Sequence, residues 1–242
     1  MQIPRIYTEQ NLSLHSETKL NQSASRHLSK TLRLKINAPI ILFNGQGGEY
    51  KAEITMISKN SVTARLDQFS EIDNESALDI HLGICVSRGE RMDLIIQKST
   101  ELGVTEITPL IGERTEVKLN AERQQKRLNH WQQIAISACE QSGRNRVPAI
   151  NDLQKPTDWV GTIKSETKLV LHHRNANSLK IISPTNSVAL LMGPEGGLSE
   201  AEIENVESSH FQSLALGPRV LRTETAPLAA ISMLQAFWGD MA

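Results

Sequence analysis

The chain has 242 residues and a formal net charge of −1; 39% of its residues are hydrophobic and 22% charged. These values are ordinary for a globular protein, and the length suits one large domain or a small domain joined to a medium one. No stretch approaches the roughly 20 consecutive apolar residues that span a bilayer, and the segment from Met1 to Gln10, which carries Arg5, lacks the apolar run of a secretory signal.

The first part reads as β-rich. Pro39 to Phe43 is a short apolar run, and Asn44-Gly45-Gln46-Gly47-Gly48 is a strong turn signal. Tyr50 to Ile57 alternates apolar and polar positions, Ser58-Lys59-Asn60 turns the chain again, and Val62, Ala64 and Leu66 resume the alternation. Such a meander of short antiparallel strands is what a small barrel is made of.

From Leu78 the rhythm changes. Leu78 to Val86 reads as a strand, Glu90 to Leu102 as a helix with Met92, Ile95, Ile96 and Ser99 on one face, and Val104 to Leu110 as a strand. A long helix follows from Ala121 to Ser142, aligning Leu128, Trp131, Ala135 and Ala138. Strands are expected at Lys168 to His172, Val188 to Met192 and Ser213 to Leu216, with helices at Ser199 to Ser209 and Thr225 to Trp238. Alternating strands and helices imply a mostly parallel sheet covered on both faces. The expected division is therefore a β domain over 1–73 and an α/β domain over 74–242, with the acidic and polar cluster from Glu71 to Ser76 as the boundary.

Charge is unevenly placed. From Lys19 to Lys35 there are five basic residues (Lys19, Arg26, Lys30, Arg33, Lys35), with His27 and no acid. From Lys118 to Arg146 there are six basic residues against Glu122 and Glu140. A near-neutral protein can hold a polyanion through such local patches, although a solvated helix face and a charged loop have the same composition. Cys85 and Cys139 lie far apart without CxxC pairing and read as reduced core thiols. His172 and His173 have no further ligand at metal-binding spacing, so no metal is expected.

Two glycine-bearing loops follow the late strands. The first is Met192-Gly193-Pro194-Glu195-Gly196-Gly197-Leu198, closed by a capping box of Ser199 and Glu202. The second runs from Leu216 to Pro227, where Thr225 is placed to cap the last helix and Pro227 is tolerated in its first turn. Both should leave the carboxyl ends of parallel strands, where open α/β sheets bind ligands. Neither fits GxxxxGK[ST] or GxGxxG. Spacing alone leaves two tight structural connections as an equal reading.

The strings GPEGGLS at 193–199 and LGPRVLRTETAP at 216–227 resemble the signature of RsmE-type RNA methyltransferases of the knotted SPOUT class. The blocks at 88–110 and 138–148, PRIYT at 4–8 and HLSKTLRLK at 27–35 resemble the same family, which thus covers nearly the whole chain. Within the last block the family more often has Val-Leu-Arg where this chain has Thr31-Leu32-Arg33.

The resemblance implies a PUA-like RNA-binding β domain followed by a methyltransferase domain whose end is threaded into a trefoil knot, assembled as a cytoplasmic homodimer. It implies S-adenosyl-L-methionine as cofactor, 16S rRNA in the small ribosomal subunit as partner, and N3 of a uridine as methyl acceptor. By similarity the cofactor lies against Leu171, His172, Met192, Gly193, Gly196, Gly197, Leu216, Gly217, Leu221, Thr223, Thr225 and Ala226. Arg222 is the first candidate for catalysis, as a guanidinium that stabilises the uracil anion, and Glu224 is a candidate acceptor of the N3 proton. Each has a structural alternative, Arg222 tying the loops together by hydrogen bonds and Glu224 pairing with Arg222 or with backbone amides. Arg5, Arg26, His27, Arg33, Lys35 and Arg144 are expected to contact RNA. Two other readings fit the same fold: a methyltransferase with a ribose or a different base as target, and a non-catalytic rRNA-binding assembly factor.

Overall fold

A computed structural model describes residues 3–117, 120–171 and 177–241. The chain divides into two compact units, one of residues up to Glu75 together with Cys139–Val147, the other of Ser76–Ala138 together with residues from Pro148 onward.

The first unit is built on a five-stranded sheet of β1 (Arg5–Tyr7), β2 (Glu17–Lys19), β3 (Pro39–Phe43), β4 (Glu49–Ile57) and β5 (Val62–Ser70), in the order β1-β3-β4-β5-β2. The meander β3-β4-β5 is antiparallel, as the alternation requires, whereas β1 runs parallel to β3. Ala52, Ile54, Val62, Ala64 and Leu66 point inward, onto Leu28 and Leu42. Helix α1 (Gln22–Arg26) continues into a π-helical turn over His27–Thr31, and Asn21 caps it by accepting from the Ala24 amide at 2.9 Å.

Two basic residues stand differently from expectation. Arg5 is 9% exposed at its side chain; it ion-pairs with Glu49 and donates to Asn145 Oδ1 (2.5 Å) and the Arg144 carbonyl (3.1 Å). Arg144 is 4% exposed and paired with Glu75. Both fill internal positions where their charge is matched, by Glu49 and Glu75, as a buried guanidinium requires. Arg146 pairs with Asp73 at 2.9 Å, and Asn74 donates to the Gly143 carbonyl at 3.1 Å. Cys139–Val147 is thereby stitched to Ile72–Glu75, which explains why a segment distant in sequence belongs to this unit.

The second unit is a six-stranded, wholly parallel sheet. In chain order it contains β6 (Asp79–Cys85), α2 (Glu90–Glu101), β7 (Glu106–Leu110), most of α3 (Ala121–Ser142), β8 (Ala149–Ile150), α4 (Pro156–Thr162), β9 (Thr167–Val170), β10 (Ser187–Met192), α5 (Glu200–Ser208), β11 (Gln212–Ser213) and α6 (Thr225–Trp238). The strand order is β11-β9-β10-β6-β7-β8. β10 is central, and its run Val188 to Leu191 is fully buried, as a strand covered on both faces must be. Because β11 pairs on the far side of β9, the chain leaving β10 has to pass β9 before it re-enters the sheet.

Several expected bounds shift. The last strand is only Gln212–Ser213, and the expected strand from Lys168 ends at Val170; His172 lies outside the described residues. Helix α6 starts at Thr225, but its N-cap position is Glu224 and no side chain caps it, so Thr225 does not play the expected part. On α6, which packs against α2, Ile231 and Leu234 are buried, while Phe237 is 52% exposed. Gln235, fully buried, accepts from Ser76 Oγ (2.7 Å) and donates to the Leu102 carbonyl (2.9 Å), which satisfies its amide at this helix contact.

Cys85 and Cys139 are free and buried, and burial pushes both thiols up to about 12, so both are inert thiols rather than nucleophiles. At the amino edge of the sheet a cavity of about 410 Å³ is bordered by His81, Glu106, Thr108, Asn151 and Trp159. His81 Nε2 accepts from Trp159 Nε1 at 3.2 Å and lies 2.8 Å from Thr108 Oγ1, while its Nδ1 lies 3.3 Å from Glu106. Burial lowers the His81 pKa, against the pull of Glu106 and Asp79. The unfolded chain therefore binds this proton more readily than the native one. The stability that rests on neutral His81 is complete above its ordinary value of about 6.5 and declines as pH falls from there toward the lowered native value. Urea unfolding at pH 7.5 and pH 5.5 should show a pH-dependent loss that is smaller in His81→Asn than in the unsubstituted chain. An equal loss in both would remove His81 as its source.

Candidate active site

All six strands run parallel, so their carboxyl ends lie along one edge of the second unit. Three segments leave that edge side by side. Leu171 follows β9 and donates its amide to the Leu191 carbonyl at 2.9 Å. Met192 ends β10, and the Gly193 loop follows it. Leu214 follows β11 and donates to the Val170 carbonyl at 2.9 Å, which starts the 216–226 loop beside the end of β9. β10 and β6 are neighbours although the chain runs from β6 to β7 and β8 in one direction and builds β9 to β11 on the other side. That reversal of strand order is where a crevice opens in such sheets.

The first loop is sharply defined. The Gly197 amide donates to the Pro194 carbonyl at 2.8 Å, closing a turn. Ser199 Oγ accepts from the Glu202 amide at 3.2 Å while Glu202 Oε2 accepts from the Ser199 amide at 2.8 Å, so the expected capping box is formed. Gly197 has φ of +71°, a left-handed conformation that costs a side-chain-bearing residue about 1–2 kcal/mol, and a Cβ built there would meet nothing within 4 Å. Gly193 is buried, Gly196 exposed and Met192 half-buried.

The second loop is open. From Leu216 to Leu221 no hydrogen bond is formed among the described residues, so the backbone amides and carbonyls there are available to a ligand. Leu221 is half-buried, Gly217 exposed, and Thr223 and Ala226 are buried. The loop is anchored at its end, where the Arg222 carbonyl accepts from the Thr225 and Ala226 amides, both at 2.9 Å. The Arg222 side chain is exposed and forms no ion pair with Glu224 among the described residues.

Glu224 is half-buried and stands on the wall of an open groove of about 660 Å³ between α2 and α3. Leu94 and Ile134 supply apolar lining, while Arg91, Asp93 and His130 supply charge. Asp93 holds His130 Nε2 at 2.9 Å and accepts from Trp131 Nε1 at 3.2 Å; Arg91 reaches Glu195 of the first loop at 3.2 Å. Sequence reasoning did not single out Arg91, Asp93 or His130, since nothing local marks residues that act across elements. No cluster of three or more metal-ligating side chains occurs among the described residues.

In the first unit Arg26, His27, Arg33 and Lys35 are all exposed, along with Lys30. Arg33 has φ of +53°. Of the six expected RNA contacts these four stay on the surface, while Arg5 and Arg144 are internal.

The profile of the RNA methyltransferase domain family matches residues 74–235, and that of the RNA methyltransferase PUA domain matches residues 20–67. The Ribosomal RNA small subunit methyltransferase E of Buchnera aphidicola subsp. Schizaphis graminum is 37% identical over 99% of this chain and 98% of its own length. The chain belongs to the RsmE family of RNA methyltransferases. Solved structures agree with RsmE membership. The RsmE of Neisseria gonorrhoeae, bound to S-adenosyl methionine, superimposes with a TM-score of 0.96 at 43% identity, covering 100% of both chains. A methyltransferase from Legionella pneumophila, in complex with the same cofactor, gives 0.96 at 40% identity over 99% of this chain and 100% of that one. The RsmE match accounts for the division of labour in the sequence, with a PUA-type β-rich part ahead of a parallel α/β sheet. Among the described residues no helix is long and apolar enough to cross a membrane.

Proposed function

We propose that this chain transfers a methyl group from S-adenosyl-L-methionine to N3 of a uridine in 16S rRNA of the small ribosomal subunit. One observation carries the reading: at 43% identity and a TM-score of 0.96, the whole chain matches an RsmE that holds S-adenosyl methionine. The residues fit such a cofactor, because the 216–221 backbone has free donors and acceptors, and Gly197 leaves the space that a Cβ would take.

Leu171, Met192, Gly193, Gly196, Gly197, Leu216, Gly217, Leu221, Thr223, Thr225 and Ala226 form the cofactor site in this reading; His172 lies outside the described residues. The sulfonium supplies a strongly electrophilic methyl carbon. Uracil N3 carries a proton, so the protein's task is to align the base and manage charge. Arg222 places a guanidinium where negative charge on the uracil oxygens develops, and Glu224 takes the N3 proton and passes it to water. The N3 lone pair forms the new C–N bond as the carbon–sulfur bond breaks, leaving the neutral thioether of S-adenosylhomocysteine.

The first unit, which takes in Cys139–Val147 beyond the expected bound of residue 73, serves as the RNA-binding domain and the second as the methyltransferase domain of a cytoplasmic homodimer. Arg26, His27, Arg33 and Lys35 are the phosphate contacts. Arg33→Glu should weaken RNA binding and lower the slope of log affinity against log salt by about one, while affinity for S-adenosylhomocysteine stays constant. An unchanged salt slope would make the patch a solvated face.

The direct test is incubation with labelled cofactor and small subunits that lack the modification, followed by mass spectrometry of the nucleosides. The reading requires 3-methyluridine. A ribose-methylated nucleoside or another base would keep the enzyme and change its target; no label with intact cofactor binding would make the chain an assembly factor.

A further inference from the structure

The turn that follows β7 sits beside the Gly193 loop, and its contacts are those of a brace. Gly112 and Thr115 close the turn, the Gly112 amide donating to Thr115 Oγ1 at 2.9 Å and the Thr115 amide to the Gly112 carbonyl at 3.1 Å. Glu202, 3% exposed, divides its two carboxylate oxygens between two segments: Oε2 accepts from the Ser199 amide at 2.8 Å and Oε1 from the Glu113 amide at 2.9 Å. A capping carboxylate needs only the first of these bonds, so the second fastens the turn to the start of α5. A Cβ at Gly112 would stand 2.9 Å from Glu202 Oε1, so the approach depends on glycine there.

From that fixed base Arg114 reaches the loop itself. Its Nη1 donates to the Gly196 carbonyl at 3.1 Å and to the Leu198 carbonyl at 3.2 Å. Its stem runs along Gly196, where a Cβ would lie 3.4 Å from Arg114 Cβ and 3.7 Å from Cδ. The Pro194 carbonyl is already used by the Gly197 amide. Three loop carbonyls, on residues 194, 196 and 198, are thus held by the protein. A held carbonyl fixes its own peptide plane, and with it the direction of the amide that follows, here those of residues 195, 197 and 199. Charge-assisted bonds to carbonyls hold this geometry more firmly than neutral ones.

We infer that Arg114 is a positioning residue for the cofactor: held on a turn anchored by Glu202, it sets the shape of the 193–198 loop and so the affinity for the methyl donor, without touching the reacting atoms. The inference rests on the reading of that loop as part of the cofactor site. It extends the site to a segment that neither glycine loop contains.

The test uses the full-length chain and S-adenosylhomocysteine as the probe, with Arg114→Met, which keeps the stem against Gly196 and removes the donors, and Arg114→Lys, which restores one charged donor. Calorimetry should show affinity reduced about three- to tenfold in Arg114→Met and partly recovered in Arg114→Lys. Steady-state methylation of small subunits should show the same rise in KM for S-adenosyl-L-methionine, with kcat and the KM for subunits within about twofold of the parent. Both variants should unfold at the parent temperature, because the side chain is exposed. Equal affinity in the parent and Arg114→Met overturns the role of Arg114 while leaving the cofactor site standing. A drop in kcat with unchanged KM overturns it as well. If the parent itself binds no S-adenosylhomocysteine, the cofactor reading falls and this inference with it.

Discussion

Arg222→Ala should lower kcat for subunit methylation by about two to three orders of magnitude, the usual cost of removing one group that stabilises developing charge. The backbone of Arg222 is tied into the start of α6 through its carbonyl, yet its side chain is exposed and has no ion-pair partner among the described residues. A guanidinium held at its root and free at its tip is suited to meet a substrate rather than to support the fold. Affinity for S-adenosylhomocysteine should therefore stay within about threefold, because the lost interaction is made in the transition state and not with the bound donor. Arg222→Lys should recover part of the rate, since it keeps the charge and loses the planar fork. Two outcomes would contradict this assignment: a cofactor affinity that falls as far as the rate, and a melting temperature that falls with it. Glu224→Gln provides a companion test. Loss of a general base costs about 10²–10⁴ in rate, and Glu224 lines a groove that Arg91 and His130 also line.

The second large effect is on binding. Gly197→Val should abolish measurable calorimetric binding of S-adenosylhomocysteine while the chain stays folded. The φ of +71° forces a β-branched residue either to bear the left-handed conformation or to move the turn closed by the Pro194 carbonyl. A Cβ there meets nothing within 4 Å, so the new side chain starts in open space rather than against the core. Gly197→Asn separates the two causes, because asparagine tolerates positive φ. Binding restored in the asparagine variant would point to backbone strain as the reason for glycine. Binding lost in both would mean that the side chain enters space the ligand occupies. Full affinity in Gly197→Val would exclude this loop from the cofactor site.

The sequence made the architecture of the second unit readable because long elements announce themselves. The helix from Ala121 to Ser142 and the one from Thr225 to Trp238 have the expected bounds, and the capping box of Ser199 and Glu202 marks the start of α5, which spans Glu200–Ser208 between the expected end residues. Short elements carry too few residues to show a period. That is why β1, β2, β8 and α4 were not foreseen and β11 was drawn too long. The two glycine loops were legible from their strings. Whether a basic residue is on the surface was not, since Arg5 and Arg144 find their counter-charges at Glu49 and Glu75, 44 and 69 residues away in sequence. The same holds for Arg114, whose carbonyl partners lie 82 and 84 residues further along the chain. Long-range pairing leaves no local pattern to read.

Hydrogen exchange of the full-length chain, with and without saturating S-adenosylhomocysteine, asks most directly whether the two loops bind the donor. Amides of 193–198 and of 216–224 should gain protection together, while those at the amino edge of the sheet around His81 and Glu106 stay as they were. Binding without protection in either loop, or protection centred on the His81 cavity, would contradict the account.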